Sequence, residues 1–170
     1  VMERVQRVIQ KVAPHDSIER YSALGVECIT GEAMIRSPYE VEVDGQRISC
    51  RTMIVATGAR PMVPPLPGLE AIGYLTSDTV WGLRQKPARM VVLGGGPIGC
   101  ELAQSFQRLG VAVTLIQRGD RIMPREDEDV AAMVTTRFME EGMQVLTGHT
   151  AQRIEQEGGE KRVVCINDGV

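Results

Sequence analysis

Glycines 94, 96 and 99, in the stretch GGGPIG, have the spacing G-x-G-x-x-G. In that pattern the first glycine makes a tight turn, the second lets backbone approach a pyrophosphate, and the third lets a helix pack closely on a strand. The apolar run RMVVL (89–93) precedes the glycines and a helical pattern follows them, so a helix N-terminus there offers free N–H groups and partial positive charge to an anion. With those flanks the spacing is a dinucleotide-binding fingerprint, and Gly94, Gly96, Pro97, Ile98 and Gly99 are the candidate contacts. A glycine-rich turn without ligand and the glycine loop of an S-adenosylmethionine-binding domain are the alternatives.

Roughly 20 residues further on, where an acidic side chain would hold the free ribose hydroxyls of NAD, the sequence VTLIQRGDR has Gln117, followed by Arg118 and Arg121. Arginine without a nearby acid suits a 2′-phosphate, which favours NADP, although Asp120 opposes it. NAD is the alternative, with Gln117 on the ribose hydroxyls and Arg118 a solvated charge. The four cysteines, at 28, 50, 100 and 165, form no CxxC or CxxxxC pair and have no histidine cluster, which argues against zinc and against a redox dithiol. Buried, inert thiols are the expectation. The acidic run REDEDV (125–130) is read as a helix start favoured by the dipole, with no metal role.

The elements that must position these residues fall into two halves. An uncapped amphipathic helix is expected from the first residue (Val1, Val5, Val8, Ile9, Val12), then a short helix with an Asp16–Glu19 capping box, closed by Gly25. The alternating runs VECIT, EAMIR, YEVEVD and RISCRTMIVATG, with the turn DGQ, predict an antiparallel meander. The proline-rich GARPMVPPLPGLE reads as a crossover, placing the boundary between residues 1–65 and 66–170. Next come a short helix in SDTVWGL capped near Ser77 or Asp78, a buried strand RMVVL, a helix with Ile98, Leu102, Ala103, Phe106 and Leu109 on one face, and a strand VAVTLI. A helix marked by Val130, Val134 and Phe138, a strand GMQVL and a hairpin over TAQRIEQEGGEKRVVCIN complete the pattern. Strand, helix, strand, helix, strand is an α/β, doubly wound unit with a parallel sheet.

Composition is that of an ordinary soluble protein: 170 residues, 43% hydrophobic, 24% charged, net charge −3. No basic stripe is present to displace counterions from nucleic acid, and no apolar run is long enough to cross a bilayer. The N-terminus, with charge among its apolar positions, does not resemble a signal peptide, and the expected location is the cytoplasm.

RTMIVATGARPMVPPLPGL, GGGPIGCELAQSFQRLG, VTLI and MEEGMQVL together resemble, in order and spacing, the flavoprotein (pyridine nucleotide) disulfide oxidoreductases, the family of dihydrolipoamide dehydrogenase, glutathione reductase and mercuric reductase. The resemblance covers nearly the whole chain. It implies an FAD/NAD(P)-binding Rossmann-like fold with a β-meander, preceded by the partial tail of an FAD domain. Residues 1–65 would close the first FAD segment, and 66–170 would form most of the NAD(P) domain, truncated at its end. By resemblance, Glu32 and Ala33 face the FAD adenine through backbone atoms, Ala56, Thr57 and Gly58 lie beside FAD, and Glu101 stands near the nicotinamide. Pro97 replaces the mobile tyrosine of glutathione reductase.

The implied activity is passage of hydride from NAD(P)H through FAD to a redox disulfide and on to substrate, in a full-length homodimer of which this chain is an internal, by itself inactive, fragment. ATGARPMVPPLPGL, ELAQSFQRLG and the missing acid at Gln117 look most like mercuric reductase, while GGGPIG looks more like dihydrolipoamide dehydrogenase. A stand-alone nucleotide-binding module without redox catalysis is the alternative.

Overall fold

The computed structural model describes residues 1–167; positions 168–170, the end of the expected second domain, lie outside the described residues. The chain divides into two compact units, Val1–Arg60 and Pro61–Val170, so the division falls at the start of the proline-rich segment, five residues before the expected boundary.

In Val1–Arg60, helix α1 (Met2–Val12) begins without a side-chain cap, as its sequence predicts, with Glu3 in the first turn and Lys11 in the last matching the helix dipole. Helix α2 (Ile18–Ala23) is capped by Ser17, whose Oγ accepts the Arg20 N–H at 3.3 Å, rather than by Asp16. Asp16 ends a 3-10 turn over Ala13–Asp16, and Ser17 has the extended backbone an N-cap needs. Gly25, at φ 83°, closes the helix as expected, with the Val26 N–H returning to the Tyr21 carbonyl at 3.0 Å.

The meander is smaller than its sequence suggests: β1 (Ala33–Ser37), β2 (Glu40–Val43) and β3 (Gln46–Ser49), antiparallel in that order. Asp44 and Gly45, both at positive φ, form the two-residue turn between β2 and β3. VECIT and MIVATG are not strands. Their alternation is real, but among the described residues neither finds a neighbouring strand to complete a ladder, and Ile54 and Val55 stay 88% and 62% exposed.

In Pro61–Val170, a parallel three-stranded sheet runs β4 (Arg89–Leu93), β5 (Ala112–Ile116), β6 (Gln144–Leu146), with α4 (Pro97–Arg108) and α5 (Glu128–Glu140) as crossovers. This is one β-α-β-α-β half of a doubly wound fold. The core lies under β5, where Val113, Leu115 and Ile116 are buried. β4 is not the buried strand expected: it pairs on one side only, and Val91 is 44% exposed. The buried face of α4 is also shifted, to Cys100, Ala103 and Phe106, while Ile98 and Leu109 are exposed. Gly99 sets that rotation, because it lies against the loop before the helix and turns its own side of α4 toward the sheet.

SDTVWGL makes only a 3-10 turn, Val80–Gly82, without a side-chain cap; Thr76 and Thr79 organise it, with the Thr76 N–H donating to Thr79 Oγ1 at 2.9 Å. The expected hairpin is present as β7 (His149–Glu157) and β8 (Glu160–Asn167), turning at Gly158 and Gly159. The end of the proline segment is stitched to it, since the Ile154 N–H donates to the Pro67 carbonyl at 2.8 Å. Helix α3 (Leu69–Ile72) follows with Leu69 buried.

Candidate functional site

The glycine loop lies where β4 hands the chain to α4, at the carboxyl end of the parallel sheet. The Gly94 N–H donates to the Ile116 carbonyl at 2.8 Å, holding the loop to the next strand, and Gly94 adopts φ 103°. A Cβ on Gly99 would stand 2.1 Å from the Gly94 carbonyl oxygen, so only glycine allows this approach of helix to loop. A Cβ on Gly96 would meet nothing within 4 Å. Space is open on the side where backbone would meet a ligand.

Gly96 is the N-cap of α4 and contributes no side-chain cap, and Pro97 at the first helical position has no N–H. The Ile98 and Gly99 N–H groups come before the first helical bond, from the Cys100 N–H to the Gly96 carbonyl at 2.9 Å, and are the donors that a helix start offers an anion. Ile98, 61% exposed, lies at this mouth. A glycine that leaves open space beside unspent donors fits a pyrophosphate; the residues present suit a dinucleotide.

Gln117, Arg118 and Arg121 lie just past β5, and Gln117 reaches the loop. Gln117 Oε1 accepts the Gly95 N–H at 2.8 Å, across 22 residues of sequence. Arg118 is exposed and makes no hydrogen bond or ion pair among the described residues, so it offers a cation to a ligand. Arg121 is engaged: its Nη2 donates to the Pro124 carbonyl at 3.3 Å and its Nη1 stands 3.8 Å from Glu128. Glu101 is exposed on the first turns of α4, and its carbonyl accepts the Ser105 hydroxyl at 2.7 Å.

Cys100 is buried beneath the loop, its S–H directed to the Gly95 carbonyl at 3.4 Å. Burial first, and then the neighbouring Glu101 charge, push its thiol up to about 11. It stays protonated at neutral pH and is neither nucleophile nor redox group there. Among the described residues, no cluster of three or more His, Cys, Asp or Glu side chains is placed to hold a metal ion, and no helix is long and apolar enough to cross a membrane.

The residues expected beside FAD lie in Val1–Arg60. The Glu32 N–H donates to Asp44 Oδ1 at 3.0 Å and its carbonyl accepts the Asp44 N–H at 3.4 Å, so its backbone groups are already paired. Ala33 opens β1 opposite Val43. Ala56, Thr57 and Gly58 are exposed, outside any strand, without a hydrogen bond among the described residues.

Sequence reasoning assigned no part to Gly95, Ile122 or Met123, which close the back of the site. The Gly95 carbonyl accepts the Met123 N–H at 2.6 Å, and Ile122, fully buried, fills the space a Cβ on Gly95 would need. The available signal was the middle glycine of GGG, Gly95, which the fingerprint leaves unused.

A parallel β-α-β-α-β unit with a glycine turn at its first crossover defines an FAD/NAD(P)-binding fold. The chain belongs to the pyridine nucleotide-disulphide oxidoreductase family, whose model matches residues 3–170. It is 40% identical over 139 residues to mercuric reductase from Bacillus cereus, covering 82% of this chain and 22% of that protein. It is 38% identical over 135 residues to dihydrolipoyl dehydrogenase from Thermus scotoductus, covering 78% and 29%. The HOCl-induced flavoprotein disulfide reductase RclA from Escherichia coli, in its Cu(II) complex, superposes with a TM-score of 0.79 at 26% identity, over 96% of this chain and 38% of that one. The chain thus spans between a fifth and a third of the length of these curated relatives.

Proposed function

We propose that Pro61–Val170 binds the nicotinamide cofactor of a flavin-dependent disulfide oxidoreductase, with NADP preferred over NAD. The observation that carries this is the glycine loop: open space at Gly96, an α4 start with no side-chain cap, and the unpaired Arg118 next in sequence to Gln117, which bonds the loop at Gly95. The pyrophosphate would lie on Gly94–Gly99, including Pro97 and Ile98, and the 2′-phosphate on Arg118, with Arg121 a second cation held back by Pro124 and Glu128. Glu101 would lie toward the nicotinamide and hold a carboxylate charge there.

When bound, the nicotinamide supplies a hydride, which in the family's chemistry passes by way of FAD to a redox disulfide. This chain's share is to orient the dinucleotide and to hold charge beside it. The FAD contacts proposed for Glu32, Ala33, Ala56, Thr57 and Gly58 rest on family likeness, and no step is derived through them. For the whole protein we propose a homodimeric, cytoplasmic reductase whose substrate is mercuric ion, supported by the likeness to mercuric reductases. GGGPIG favours a second reading, dihydrolipoamide as substrate.

Calorimetric titration with NADPH and NADH at fixed salt tests the cofactor. The expected result is tighter NADPH binding by about 10- to 100-fold, lost in Arg118→Glu, because a charge-assisted arginine–phosphate contact is worth about 1.5–3 kcal/mol. Equal or tighter NADH binding would overturn the NADP assignment.

A further inference from the structure

We infer that Gln117 is a positioning residue for the glycine loop, and not the reader of the cofactor ribose, and that through Gly95 it joins the loop 117–123 and the pyrophosphate loop into one unit. The inference rests on the proposed dinucleotide site.

Gly95 is held from four directions. Its N–H donates to Gln117 Oε1 at 2.8 Å, its carbonyl accepts from the Met123 N–H at 2.6 Å and from the Cys100 S–H at 3.4 Å, and Ile122 occupies the side where a side chain would stand. A Cβ at this position would come within 2.8 Å of Ile122 Cγ2. Met123 is held at φ 48°, a conformation a non-glycine residue keeps only where its surroundings over-determine it. Its bond to Gly95 is one such constraint.

Gln117 is fixed in turn. Its N–H donates to the Leu146 carbonyl at 2.8 Å, and its carbonyl accepts the His149 N–H at 3.1 Å. Its side-chain nitrogen borders Gly119, where a Cβ would stand 3.1 Å away. Ribose hydroxyls are read in such sites by an acceptor at this position. Here that acceptor is directed onto the Gly95 N–H, which turns the side chain to the loop, so Gln117 places the donors that meet the pyrophosphate, and discrimination between the two dinucleotides falls to Arg118.

The test uses the intact protein that contains this chain, with Gln117→Met, which removes the acceptor and keeps the length, and Gln117→Glu, which keeps an acceptor oxygen. Hydrogen exchange by mass spectrometry on peptides spanning 93–99 is read without nucleotide, and affinities for NADPH and NADH are read by calorimetry. In Gln117→Met, exchange at the loop rises about tenfold, while the β5 peptide exchanges as in wild type, and both dinucleotides weaken by the same factor. Gln117→Glu restores loop protection and NADH affinity. Unchanged loop exchange in Gln117→Met, or a loss confined to one dinucleotide, overturns the positioning role. Failure of wild type to prefer NADPH refutes the cofactor assignment instead, and loop exchange still decides the role of Gln117.

Discussion

Gly96 and Gly99 are two residues of one motif with opposite demands, and substituting each by alanine separates them. At Gly99 the added Cβ meets backbone, so Gly99→Ala is expected to lower stability by about 1–3 kcal/mol, read from urea unfolding midpoints. At Gly96 the Cβ enters open space and the backbone, at φ −74° and ψ 175°, suits any residue. Gly96→Ala is therefore expected to keep stability within about 1 kcal/mol of wild type while losing dinucleotide affinity in calorimetry. Stability loss at both positions, or at neither, would contradict this division. Cys100 offers a second check at the same scale: with its thiol raised to about 11 and buried, it should resist alkylation by iodoacetamide at pH 8 in native protein, whereas exposed Cys28 labels, as followed by peptide mass spectrometry.

Helices α4 and α5 meet at their C-terminal ends through one residue. The Glu141 carboxylate accepts from Arg108 at 2.6 and 3.0 Å, from Arg137 at 2.8 Å and from Gln104, while Gln107 donates to its backbone carbonyl at 2.9 Å. The Arg108 hydrogen bonds, more than any other contact, bring its carboxyl down to about 2 from the usual 4.5. A depressed carboxylate contributes stability above its unfolded value and loses it as pH falls through the folded one. The clasp is thus complete above pH 4.5 and lost between about 4.5 and about 2. Unfolding midpoints should fall more steeply over that window in wild type than in Glu141→Gln, and parallel curves would show that the clasp does not bear on stability. Gly68 is the corresponding point for the proline segment. It combines φ 84° with a Cβ position 2.1 Å from the Ile154 carbonyl oxygen, so Gly68→Ala should loosen α3 from β7 and speed exchange of the Ile154 amide.

The two units differ in how much apolar surface they bury. Among the described residues, Val43 is the buried hydrophobic residue of Val1–Arg60, while Phe106, Leu115, Ile122, Phe138 and the rest of the core lie in Pro61–Val170. Cooperative unfolding requires buried apolar area large enough to offset chain entropy. Expressed separately, Pro61–Val170 is expected to unfold in one urea transition by circular dichroism, and Val1–Arg60 to show none; a sharp transition in the shorter piece would disprove this.

Local rules carried much of this in the sequence. The glycine spacing, the alternation of helix and strand from 89 to 146, the Asp44–Gly45 and Gly158–Gly159 turns and the placement of Arg118 after the second strand all follow from backbone sterics and residue periodicity within short windows. What depends on a distant neighbour did not: VECIT and MIVATG alternate like strands but have no partner strand among the described residues, and α4 buries Cys100 rather than Ile98 because Gly99 packs on the Gly94 carbonyl. The commitment of Gln117 to Gly95, across 22 residues, belongs to the same class. Sequence fixes which groups a segment offers, and only tertiary packing decides which of them meet.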